Sequence, residues 1–113
     1  MIGTGQSGEL LAARHLERAG LTIVERNFRT RYGEIDLVAR DGDCLVFVEV
    51  RVRRTPGFGG AAESITVAKQ DRLRRAAALY LARLQDEPAC RFDAVLIESF
   101  DPPAVQWLRG AFE

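Results

Sequence analysis

The chain of 113 residues has one histidine, one lysine and two cysteines, and each shortage closes off a chemistry. With His15 alone, the HExxH metalloproteases are excluded, because they need two histidines on one helix face. His-metal-His nucleases also need more than one. A Ser-His-Asp triad would have to use His15, which falls among Arg14, Glu17 and Arg18 and reads as a solvated helix-face residue. Cys44 and Cys90 lack CxxC spacing and are too few for a disulfide scaffold, so they are expected as small buried thiols. No apolar run approaches the roughly 18 residues that a membrane helix needs, so no membrane partner is expected. The start, Met1-Ile2-Gly3-Thr4-Gly5, is neither basic nor apolar as a secretory signal would be, which makes the cytoplasm the expected location. Sixteen basic and sixteen acidic side chains give zero net charge. A globally basic nucleic-acid binder is thereby excluded, although a local basic patch is not.

What is present is a globular composition, 47% hydrophobic and 28% charged, with length for one domain over residues 1–113 and a single core. Ser7 is a candidate helix cap. Leu10, Leu11, Ala13, Leu16 and Ala19 then recur at helical spacing up to the Gly20 stop, predicting a helix over 8–19. Residues 21–29, 34–40 and 44–52 read as strands, with Asp41-Gly42 as a hairpin turn between the last two. Pro56 and three glycines mark 55–62 as a loop. Leu73, Ala76, Ala77, Tyr80 and Leu84 predict a second helix over 66–84. Strands follow at 91–99 and 105–108, separated by a Pro102-Pro103 turn. The order is α-β-β-β-α-β-β, an α/β sandwich whose second helix can carry the chain to a parallel neighbour strand. Gly3-Thr4-Gly5-Gln6-Ser7-Gly8 matches G-x-G-x-x-G. Met1 and Ile2 cannot supply the strand that the dinucleotide fingerprint requires, so it is read as a lead-in to the helix.

The chemistry sits on the two central predicted strands. With Asp41-Gly42 as the turn, Arg40 faces Asp43 and Asp36 faces Phe47. Alternation then puts Glu34, Asp36, Glu49 and Arg51 on one face. Ile35, Leu37, Ala39, Cys44, Val46, Val48, Val50 and Val52 fall on the other, a core face. Mid-strand carboxylates are unusual. In this register Asp36 and Glu49 are diagonal neighbours, about 7–8 Å apart, and could share one Mg²⁺ or Mn²⁺, which needs only oxygen ligands. Val38, Leu45 and Phe47 share their face, so a helix is expected to pack there and leave the acids in a cleft. The plainer reading is a solvated face with Glu34 or Glu49 paired to Arg51 or Arg53.

Asp36 followed by Glu49-Val50-Arg51 is similar to the D…(D/E)-x-K pattern of restriction-endonuclease-like nucleases. The longer string Tyr32-Gly33-Glu34-Ile35-Asp36-Leu37-Val38-Ala39-Arg40-Asp41-Gly42-Asp43, with Leu45-Val46-Phe47-Val48-Glu49-Val50, resembles the YraN family of bacterial proteins. So do Gly8-Glu9, Ala12-Ala13, Arg26-Asn27-Phe28-Arg29, Phe58-Gly59-Gly60, Arg91-Phe92-Asp93 and Ala111-Phe112. The resemblance implies a restriction-endonuclease-like sandwich, a mixed sheet of about five strands flanked by two helices, similar to archaeal Holliday-junction resolvases. It implies that Asp36, Glu49 and Glu9 hold Mg or Mn, with the Val50 carbonyl completing the site and Glu34 supporting it. The metal would polarise the scissile phosphate and lower the pKa of an attacking water. Because such resolvases work as symmetric dimers, it also implies a homodimer.

The chain departs from that pattern at the lysine, where it has Arg51. An arginine can clamp phosphate and stabilise charge but cannot act as a general base. Three explanations stand side by side. The substitution is neutral in an arginine-rich chain; Lys69 has taken over from the second helix; or the site binds without cutting. Candidate nucleic-acid contacts are Arg29, Arg31, Arg53, Arg54, Lys69, Arg72 and Arg75, with the loop 56–62 as a flap. From Arg26 to Arg54 seven bases face five acids, which suits phosphate contacts more than base reading. The leading expectation is a metal-dependent endonuclease acting on DNA, selective for branched or otherwise structured substrates. The alternatives are a non-catalytic nucleic-acid-binding module on the same fold and a partner-binding scaffold.

Overall fold

The computed structural model describes residues 4–52 and 65–113. Its elements are α1 (Thr4–Arg18), β1 (Thr22–Arg29), β2 (Glu34–Asp41), β3 (Cys44–Val52), α2 (Val67–Leu81), β4 (Cys90–Phe100) and β5 (Pro103–Phe112). The strands form one sheet in the order β1-β2-β3-β4-β5. Neighbours are antiparallel except β3 and β4, which run parallel. The fold is the expected α/β arrangement of a five-stranded mixed sheet with two helices, and α2 lies on the crossover between the parallel pair.

The two sheet faces bury different residues. On one, Val46 and Val48 of β3 and Val95 and Ile97 of β4 pack under Ala12, Ala13 and Leu16 of α1. On the other, Leu45 and Phe47 pack under Leu73, Ala76, Ala77 and Tyr80 of α2. Both faces of β3 are thus apolar, as expected of a central strand with a parallel neighbour. The helix expected over Val38, Leu45 and Phe47 is α2. Thr66 caps it, its hydroxyl accepting from the Lys69 N–H at 3.1 Å, which satisfies one of the free donors of the first turn.

Several expectations are corrected. The hairpin turn is Gly42-Asp43, because Asp41 pairs with Cys44 and Leu37 with Val48. Gly42 takes φ 59°, a conformation that suits glycine, and Asp41 stays in the strand with its carboxylate 2.9 Å from Arg91 Nη1. The register therefore moves by two residues from the expected one. Ile35 belongs to the α2-side cluster with Val38, whereas Leu37 and Ala39 belong to the α1 side. Alternation slips by one residue at Asp36. Ser7 does not cap α1, which begins at Thr4. Gly8 instead lies where α1 meets β3: a Cβ there would stand 2.6 Å from Val52 Cγ2. Cys44 is half-buried and Cys90 exposed, since each opens a strand at the rim of the sheet. His15 is half-buried and meets the Trp107 ring edge-on at 6.2 Å. The final strand is longer than expected, running to Phe112. The loop expected at 56–62, together with Arg53 and Arg54, lies outside the described residues.

Candidate functional site

The site forms where the β2–β3 ladder stops. The last paired residues toward that end are Leu37 and Val48, so one more step would set Asp36 against Glu49. The Asp36 side chain replaces that rung instead: Oδ2 accepts from the Val50 N–H at 2.7 Å. A carboxylate thereby occupies the place of a backbone carbonyl, at the residue where β2 changes face.

Other acids gather around it. Glu9 reaches in from α1 and Glu34 stands at the start of β2. One carboxylate oxygen from each of Glu9, Glu34 and Asp36 lies within 4.8 Å of the others, and all three residues are half-buried. Glu49 is buried at 5% exposure and projects on the α2 side. Burial, the nearby Glu49 charge and then those of Glu9 and Glu34 push the Asp36 carboxyl up to about 8, against the opposing hydrogen bond from Val50. Burial and the Glu34 charge also raise Glu9. Both shifts follow the same logic: a desolvated carboxylate beside other carboxylates holds its proton.

Cations approach from two directions. Lys69 Nζ stands 2.6 Å from Glu49 Oε1, and Arg51 Nε stands 3.6 Å from the same oxygen. Lys69 arrives from the first turn of α2 and Arg51 from β3, two residues beyond Glu49. On the other side, Arg29 Nε is 3.8 Å from Glu34 Oε1, with the arginine side chain mostly exposed. The arrangement has two halves. Glu9, Glu34 and Asp36 form a carboxylate group of hard oxygen donors, a set that suits Mg²⁺ or Mn²⁺. Glu49 adjoins it, neutralised by a lysine and an arginine.

The residues expected at the site divide accordingly. Asp36, Glu9 and Glu34 come together; Glu49 neighbours Asp36 and is held by Lys69 and Arg51. Arg31, Arg72 and Arg75 collect nearby, around the turn at residues 30–33. Asn27 was not singled out. The β1 register on either side, Arg26↔Leu37 and Phe28↔Ile35, puts it across from Asp36. Its φ is 54°, a region that asparagine tolerates better than most residues. With its amide nitrogen turned toward the acids, it donates to Glu9 Oε2 at 3.0 Å and to Glu34 Oε1 at 2.6 Å. The available signal was an asparagine in mid-strand, where that residue type is depleted. Among the described residues no helix is long and apolar enough to cross a membrane.

Comparison with known proteins gives one consistent answer. The model of an uncharacterised protein family, UPF0102, matches residues 8–97. A UPF0102 protein of Alkalilimnicola ehrlichii is 57% identical over 113 residues, covering 98% of this chain and 87% of its own length. One from Nitrosomonas europaea is 50% identical over 109 residues, covering 96% and 92%, and one from Acidovorax is 56% identical over 113 residues, covering 96% and 83%. The matched segment contains Glu9, Glu34, Asp36, Glu49 and Lys69, so the site lies within what the family shares in length; the chain belongs to the uncharacterised UPF0102 family, also known as the YraN family.

Proposed function

We propose that the protein is a divalent-metal-dependent endonuclease acting on DNA, with branched or otherwise structured DNA as the favoured substrate. The observation that carries this reading is the carboxylate group itself: Glu9, Glu34 and Asp36 with oxygens within 4.8 Å, drawn from a helix and a strand. Such crowding costs free energy in the free protein and is relieved by a cation. The donor set is all oxygen, which fits Mg²⁺ or Mn²⁺ better than zinc. When bound, the metal would supply polarisation of the scissile phosphate and a more acidic attacking water.

The chain's own residues would do the rest. Glu9, Glu34 and Asp36 hold the cation. Glu49 adjoins them, and its second role is to hold Lys69 Nζ at 2.6 Å. Lys69 and Arg51 present positive charge where negative charge would build on the phosphate. Lys69 supports the explanation that the lysine function has moved from the position after Glu49-Val50 to α2, leaving Arg51 as a clamp. Asn27 orients Glu9 and Glu34 through its amide. The resemblance to junction resolvases supports a homodimer as the working form.

The test is cleavage of labelled single-stranded, duplex, flap, fork and four-way-junction DNA with Mn²⁺ or Mg²⁺, alongside Mn²⁺ titration calorimetry. Wild type is expected to cut a branched substrate and to bind Mn²⁺. Asp36→Ala is expected to lose both, and Lys69→Met to lose cutting while keeping the metal. Arg51→Lys is expected to cut. Unchanged Mn²⁺ affinity in Asp36→Ala would overturn the site. Metal binding without cutting by wild type would favour a nucleic-acid-binding module, and no metal binding at all would favour a partner-binding scaffold.

A further inference from the structure

Next to the carboxylates lies a group of cations that the site itself does not use. Tyr32 sits in the turn before β2, where the Thr30 hydroxyl accepts from the Tyr32 and Gly33 N–H groups at 3.1 and 3.2 Å. Two guanidinium groups approach its ring, Arg31 at 5.0 Å and Arg75 at 5.5 Å from the centroid. Arg31 Nη2 also donates to the Tyr32 hydroxyl at 3.0 Å. Gly33 brings the turn close against α2, since a Cβ there would lie 3.7 Å from Arg72 Cβ. Arg31, Arg72 and Arg75 are all exposed. Helix α2 sorts its charges: Arg74 pairs with Asp71 at 2.9 Å, whereas among the described residues no carboxylate pairs with Arg31, Arg72 or Arg75.

Arg31 and Arg75 face the Tyr32 ring, Arg72 stands beside the same turn, and among the described residues none has a carboxylate partner, so their charges add to a local positive potential that attracts an anion. Arginine suits phosphate because its planar fork gives two parallel hydrogen bonds. The ring keeps two of these forks in place, which lowers the entropy lost on binding. Lys69, Arg72 and Arg75 follow one another at three-residue spacing on α2. At about 1.5 Å rise per residue, the row runs roughly 9 Å from Lys69. That is about two to three nucleotide steps at roughly 3.4 Å of axis per strand position.

We propose that Arg31, Tyr32, Arg72 and Arg75 form a phosphate-binding platform that grips the DNA strand on one side of the Glu49–Lys69 pair, without metal and without reading bases. Tyr32 is a positioning residue that holds Arg31 and Arg75 in register with successive phosphates. The platform fixes on which side of the carboxylate centre the strand is anchored. This rests on the DNA reading above, and its test is separate from that reading, because binding is measured in EDTA.

The experiment is fluorescence anisotropy of a labelled DNA duplex and fork at several salt concentrations in EDTA. Wild type is compared with Arg31→Ala/Arg75→Ala, Tyr32→Leu and, as a control on α1, Arg14→Ala. Thermal unfolding confirms that each variant folds. The double variant is expected to bind at least about tenfold more weakly and to lower the slope of log affinity against log salt by about 2. Tyr32→Leu keeps every charge, so it is expected to lose about two- to fivefold with an unchanged slope. Arg14→Ala is expected to match wild type. A double variant with wild-type affinity and slope overturns the platform even if Mn²⁺ binding by the carboxylates is intact. Binding of an RNA duplex with none to DNA would overturn the assignment of the ligand, and equal loss in Arg14→Ala would show diffuse surface charge in place of a site.

Discussion

Asp93 on β4 and Asp36 on β2 stand on either side of β3 in the same sheet, and their surroundings are opposite. Asp93 is fully buried at 0% exposure, yet it is surrounded by donors. Arg91 Nε and Nη2, Trp107 Nε1–H at 2.9 Å and the Gly110 N–H at 2.9 Å all converge on its two oxygens. Asp36 is less deeply buried but accepts from the Val50 N–H and is crowded by the charges of Glu49, Glu9 and Glu34. One acid is built into the scaffold with its hydrogen bonds satisfied. The other is left in want of a counter-charge. Burial alone does not mark a functional carboxylate; the balance of donors and like charges around it does.

The contrast breaks first at Asp93. Asp93→Ala leaves the Trp107 indole N–H, the Gly110 N–H and one side of Arg91 without their acceptor, and is expected to cost about 3 kcal/mol. Urea unfolding measures it. Mn²⁺ affinity of the folded variant is expected to stay at the wild-type value. A metal-binding defect with unchanged stability would reverse the roles given to the two aspartates.

Asp36→Asn is expected to act in the opposite direction, raising the stability of the metal-free protein by about 1–2 kcal/mol at pH 8 while abolishing Mn²⁺ binding. The pH dependence follows from linkage. Asp36 has an ordinary value of 3.8 and rises to about 8 when folded. The folded chain therefore keeps a proton that the unfolded chain releases across this window. The stability associated with it is fully present below about pH 4 and is lost as pH rises through about 8. Without metal, wild type should weaken relative to Asp36→Asn over that range. Saturating Mn²⁺ should recover the loss, with a proton released on binding below about pH 8. Parallel pH profiles for the two proteins would show that Asp36 does not titrate there.

These two aspartates also show what could be read from residues alone. Period-two alternation and the apolar stripes of α2 gave the elements and their order, because both report burial directly. The carboxylates stood out because acids are rare in mid-strand. Two things were hidden. The register depends on whether Asp41 or Gly42 opens the turn, and alternation cannot decide this, because either choice preserves parity. The slip at Asp36 depends on a side chain displacing a backbone partner, which no local pattern encodes. For the same reason alternation puts Ile35 on the wrong face, and Asn27 shows only as part of Arg26-Asn27-Phe28-Arg29, without its role across from Asp36. Asp93 shows in the residues only within Arg91-Phe92-Asp93; its burial is hidden because two of its donors, Trp107 and Gly110, come from β5.

Glu49 stands between the two cases, since it is nearly as buried as Asp93 but is neutralised by Lys69 from α2 and Arg51 from its own strand. Lys69→Met removes the ammonium at 2.6 Å and leaves Arg51 at 3.6 Å. The expected cost is about 1–2 kcal/mol by urea unfolding, less than at Asp93 because one cation remains. Arg51→Lys keeps the charge and is expected to change stability by less than about 0.5 kcal/mol. If Lys69→Met proved as costly as Asp93→Ala, Glu49 would belong with the structural acids.

A last comparison tests how the carboxylate group is held. Gly8 precedes Glu9 on α1, and a Cβ at Gly8 would stand 2.6 Å from Val52 Cγ2. Alanine is ordinarily favoured over glycine inside a helix by about 1 kcal/mol. Here Val52 is β-branched and stiff about χ1, so it does not move aside without cost. Overpacking of about 1–3 kcal/mol should outweigh the propensity gain, making Gly8→Ala destabilising by about 1 kcal/mol. Lifting α1 from β3 also carries Glu9 away from Asp36, so Mn²⁺ affinity should fall severalfold, while Asp93, which α1 does not hold, keeps its donors. A Gly8→Ala protein that is more stable and binds Mn²⁺ as wild type would mean that the depth of α1 does not set the position of Glu9.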